Sequence, residues 1–121
     1  MSAPPSPPWL EPLVWIAIDR RHGPSIRELF ETAQPDLSDP RFEELVRERL
    51  ANDPALIAAW QGYSDDKRTS SGPYLDRNRV GFFDISGEPR RSAVRNHKNP
   101  VDACADFIHR EAASVLERGP R

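Results

Sequence analysis

Cysteine is nearly absent: Cys104 stands alone, which excludes an intramolecular disulfide. The amino-terminus lacks the basic stretch and apolar run of a secretory leader, so a reducing cytoplasm is the expected setting. No long hydrophobic run exists either. The most apolar stretch, Leu13 to Ile18, is far short of the roughly 20 residues that span a bilayer, and a soluble protein is expected. The glycines are isolated, among them Gly23, Gly62, Gly72, Gly81 and Gly87, with no phosphate-cradling loop, so no nucleotide or other cofactor is expected. The three histidines, His22, His97 and His109, share no helical turn, and no zinc-like spacing is present. A metal site is therefore not expected. No internal repeat is visible.

Lysine is also scarce, at two of the 17 basic residues, whereas alanine, proline and arginine are plentiful, a usage that suggests a bacterial source. The net charge of -2 conceals an asymmetry. Residues 1–66 carry 6 basic and 12 acidic groups and residues 67–121 carry 11 and 7, so the halves stand at -6 and +4. At 121 residues the chain suits one hydrophobic core.

Residues 1–8 hold four prolines and no aromatic, the composition of a disordered tail, leaving residues 9–121 as a single domain. Pro12 suits a first helical position, and Arg20, Arg21 and His22 precede Gly23, which predicts a helix over 12–22. Ser25 with Glu28 forms a capping box for a helix over 26–33. Asp39-Pro40 and Asp53-Pro54 each set a capping aspartate before a proline, predicting helices over 40–51 and 54–63. Residues 64–78 are rich in turn formers and read as a loop. Strands over 79–85 and 90–96, joined at 86–89, form a hairpin whose poorly apolar second strand is expected at an exposed edge. Asn99-Pro100 then opens a helix to about residue 117, with Val101, Cys104, Ala105, Ile108, Ala112 and Val115 on its apolar stripe. The expected architecture is α+β: about five helices and one antiparallel β-hairpin before the carboxy-terminal helix.

Candidate chemistry is sparse. Asp65 and Asp66, next to Lys67 and Arg68, could serve as acid/base groups or ligands, with Asp76 and Asp84 completing a site only if the hairpin folds back on the loop. His97, flanked by Arg95 and Lys98, precedes a helix start where anions gather. Cys104 falls on an apolar stripe and reads as core. The segment Tyr63 to Tyr74 has the composition of a polar recognition surface. The first helix is apolar nearly all round, so Trp15 and Ile16 are candidates for either an interface or the core.

The leading expectation is a non-enzymatic protein-binding regulator, resembling by size and charge alone bacterial antitoxins or immunity proteins. Its partner would be another protein or a second copy, met through Trp15, Ile16, Tyr63, Asp65, Asp66, Lys67, Arg68, Tyr74 and His97. The alternative is a winged-helix nucleic-acid binder with Arg90, Arg91, Arg95 and Lys98 on its wing, although Pro54 to Tyr63 contains no basic residue. A small enzyme using Asp65, Asp66 and His97 is the third expectation.

Overall fold

The computed structural model describes residues 6–66, 71–84 and 90–117. Residues 1–5 of the expected tail, Lys67 and Arg68, and the expected turn over 86–89 lie outside the described residues.

The amino-terminal apolar run forms three short pieces where one helix over 12–22 is predicted. Helix α1 spans Leu10–Val14, α2 spans Ile16–Asp19, and a 3₁₀ turn covers Arg20–His22. Pro12 lies inside α1 rather than at its start; a first-turn N–H needs no helical partner, so its absence there costs nothing. The break falls at Trp15, whose φ of -87° and ψ of -5° leave the helical minimum. Splitting the run lets Leu10, Leu13, Val14, Ile16 and Ala17 all be buried, because α1 and α2 are covered by the three helices that follow. Ile16 is therefore core, which corrects its reading as an interface residue. Trp15 is half-buried and packed against that core. Trp9, not singled out in the sequence, is buried and stacks on Phe42 with ring centroids 5.0 Å apart.

Helix α3, Ile26–Ala33, starts as predicted, with the Glu28 N–H donating to Ser25 Oγ at 3.1 Å. Helix α4, Phe42–Ala51, begins two residues later than predicted. Asp39 Oδ1 accepts the Arg41 N–H at 2.8 Å and the Asp39 carbonyl accepts that of Phe42, which makes a turn before the helix proper. Phe42, Val46 and Leu50 are its buried stripe. Helix α5, Pro54–Asp66, runs three residues past its predicted end and buries Leu56, Ala59, Trp60 and Tyr63, joined by Ser64.

Strand β1, Gly72–Asp76, lies where a loop is predicted. It pairs antiparallel with β2, Arg79–Asp84, and β2 pairs antiparallel with β3, Arg90–Asn96, so the expected hairpin is the second half of a meander ordered β1-β2-β3. The β1–β2 connection is Arg77-Asn78, with Arg77 at φ 54°. As predicted, β3 is an exposed edge: Ser92 to Asn96 all face solvent.

Helix α6, Pro100–Glu117, is capped by Asn99 Oδ1, which accepts the Asp102 N–H at 2.9 Å. It lies against the sheet, α4 and α5. Cys104, Ala105, Ile108 and Ala112 are buried as the stripe predicts, and Asp106 and Glu111 are buried beside them.

Candidate functional site

The sheet has two edges, and the chain treats them differently. Along β1, side chains of α5 occupy the backbone groups a further strand would use. Ser64 Oγ accepts the Leu75 N–H at 2.7 Å and donates to the Leu75 carbonyl at 3.1 Å. Gln61 donates from Nε2 to that carbonyl at 2.7 Å and accepts the Arg77 N–H on Oε1 at 2.8 Å. This edge is sealed by side-chain hydrogen bonds from a buried helix face.

The β3 edge is held from the inside. Asp106, its side chain 3% exposed, accepts from Arg110 Nε at 2.9 Å and is hydrogen-bonded to His97 Nε2 at 2.9 Å. Arg95 Nη1 stands 3.8 Å from the same carboxylate, and Arg110 Nη1 donates to the Ala93 carbonyl at 2.9 Å. One buried carboxylate thus ties β3 and the residue after it to α6. The His97 N–H adds a 2.7 Å bond to the Asn78 carbonyl. With Arg95, Arg110 and Asp106 together, positive charge is in excess, and Arg95 is the exposed member, its side chain 60% accessible.

Between α6 and the sheet lies an open groove of about 620 Å³, walled by Pro73, Phe82 and Ala93 from the strands and by Arg110, Ala113 and Ser114 from the helix. Phe82 on β2 and Val94 on β3 are the large hydrophobic residues that remain exposed among the described residues.

The predicted site residues do not converge. His97 is set against Asp106, Asp66 against Arg20 at 2.6 Å, and Asp65 against Gln61 at 3.0 Å. Tyr63 is buried rather than presented on a recognition surface; its hydroxyl donates to Glu111 Oε2 and its ring carries the Arg20 guanidinium 5.2 Å above the centroid. Burial, reinforced by the Glu111 carboxylate, raises the pKa of the Tyr63 phenol. Tyr74 is buried with its ring over Gly81. Burial likewise raises the pKa of the Cys104 thiol, in keeping with its reading as core. His109 meets the Leu37 carbonyl at 3.1 Å and packs edge-to-face with the Phe42 ring. No cluster of three His, Cys, Asp or Glu side chains suited to a metal occurs among the described residues.

Sequence reasoning missed Asp106 and Arg110. The available signal was their i, i+4 spacing on a helix with an apolar face, together with an unassigned histidine just before that helix. Comparison of the chain with family models, with curated proteins and with solved structures finds no match.

Proposed function

We propose that the chain is a non-enzymatic protein-binding domain and that it meets its partner on the side formed by β3 and α6. The contrast between the two sheet edges carries this reading: β1 is sealed by Ser64 and Gln61, whereas β3 exposes Ser92 to Asn96 and is braced from within by Asp106. An edge strand left open and yet rigidly backed suits recognition, because little order has to be created on binding. Exposed Val94 and Phe82 add the apolar surface that interface cores use. The basic run from Arg90 to Lys98, with four cations and no anion, supplies a charge preference.

The reading is tested by placing a photo-crosslinking amino acid at Val94 in cells that naturally make the protein. Recovery of a discrete protein that also binds the purified domain, and binds a Val94→Asp variant less well, is the expected result. Crosslinks to nucleic acid, or to proteins that show no binding once purified, overturn it.

A further inference from the structure

We propose that the outer edge of β3 accepts an extended, acidic segment of a partner protein as a fourth strand of the sheet. This rests on the protein-binding reading above and gives the partner its chemistry.

The backbone alternation sets the geometry. The 2.7 Å bond from the His97 N–H to the Asn78 carbonyl marks that pair as one that exchanges bonds across the β2–β3 ladder. With the register Arg79↔Asn96 and Val80↔Arg95, Arg95 also turns its backbone groups toward β2, and Asn96 turns its own outward. Beyond the irregularity between Val80 and Phe82, the pairs Phe82↔Ser92 and Phe83↔Arg91 continue the alternation, so Arg91 presents its backbone outward too. The outward groups of Arg91 and Asn96 are a strand-addition template; Arg110 Nη1 holds the Ala93 carbonyl between them, and among the described residues no side chain takes the Asn96 backbone as Ser64 and Gln61 take that of β1.

Charge selects the occupant. Residues 90–98 carry Arg90, Arg91, Arg95 and Lys98 and no acid. Asp106 is already engaged by His97 and Arg110, so the more distant and exposed Arg95 keeps most of its field for an incoming group. Side chains alternate along an added strand, so carboxylates at every second position would share the face of Arg95 while the apolar residues between them would lie on the face of Val94. A second copy of the chain is a poorer occupant. Two β3 edges related by a twofold axis would bring the same cations face to face.

The experiment uses the full chain, isotopically labelled, and a capped eight-residue peptide of alternating Glu and Val as probe, with a Lys-Val peptide and a DNA duplex as comparisons. Expected are amide shifts centred on Ser92 to His97 with the Glu-Val peptide, none of similar size with Lys-Val, and affinity reduced about tenfold in Arg95→Glu. Asn96→Pro removes an outward N–H and abolishes the shifts; if that variant does not fold, a peptide N-methylated at alternate amides must lose binding to the natural chain. Shifts elsewhere on the fold, equal binding of Lys-Val, or tighter and more salt-dependent binding of the duplex at β3 overturn the proposal. Failure of the peptide while crosslinking through Val94 still yields a binding protein removes strand addition and leaves the protein-binding reading; failure of both removes both.

Discussion

The ring of Tyr74 lies across Gly81 on the neighbouring strand, so close that a Cβ on Gly81 would stand 2.7 Å from both Cε1 and the hydroxyl oxygen. Here the absence of a side chain is what lets an aromatic ring cover its cross-strand partner. Gly81→Ala is expected to cost about 1 to 3 kcal/mol, the range for overpacking, and urea denaturation measures it. Adding Tyr74→Ala should make the alanine at 81 nearly harmless; a full additive loss would show that the clash is not the cause.

Ala93 sits at φ 51°, where two β3 residues, Ala93 and Val94, face the single Gly81 of β2. This is the place where a bulge of this kind favours glycine. Releasing the left-handed strain outweighs the added freedom of the unfolded chain, so Ala93→Gly should stabilise the protein by about 0.5 to 1 kcal/mol. The thermal midpoint should rise by roughly 2 to 5 °C; a fall would place the strain elsewhere.

Tyr63 ties its stability contribution to alkaline pH. Its native pKa is raised above the ordinary 10.0, so on titration past that value the unfolded chain loses the phenolic proton while the native chain keeps it. The contribution is whole below about pH 10 and declines above it, by at most about 1.4 kcal/mol per pH unit. Tyr63→Phe should be less stable at neutral pH, having left Glu111 without that donor, and should show a shallower decline between pH 10 and 11. Parallel declines in the two proteins would contradict the assignment.

Ile16 and Trp15, adjacent in sequence, should behave differently. Ile16 is fully buried, and Ile16→Ala is expected to cost about 2 to 5 kcal/mol. Trp15 keeps partial exposure, so Trp15→Ala should cost less. Sedimentation of folded Ile16→Val should match that of the natural chain, since this side chain reaches no partner; altered association would restore the interface reading.

Helix starts were legible because each carries its own signal: Ser25 with Glu28 and Asn99 before Pro100 satisfy backbone groups locally, and Pro54 after Asp53 is fixed at a helical φ. Strand β1 was not legible. It opens with Gly72-Pro73 and ends at Arg77-Asn78, a two-residue connection with an arginine at positive φ where glycine is the usual mark. What makes it a strand is tertiary: Leu75 finds partners in Ser64, which the sequence assigns to the loop, and in Gln61 of the helix before it. The site was half legible for a similar reason. His97 stood out, but its partner Asp106 looks like any solvent-facing helical acid until β3 and α6 are brought together. The apolar first helix posed the reverse problem, because its surplus hydrophobicity pointed outward only under the assumption of one continuous rod.

Sealing one margin of a sheet also limits what can be built from it. A chain with two available margins can stack copy upon copy without end, each pairing exposing the next, which is the geometry of a fibre. Here Ser64 and Gln61 close one margin, so a strand added at β3 would have no counterpart at β1 and growth would stop after a single step. The two side chains would thus limit any strand addition to one step, and Gln61→Ala with Ser64→Ala would supply the second margin that open-ended polymerisation requires.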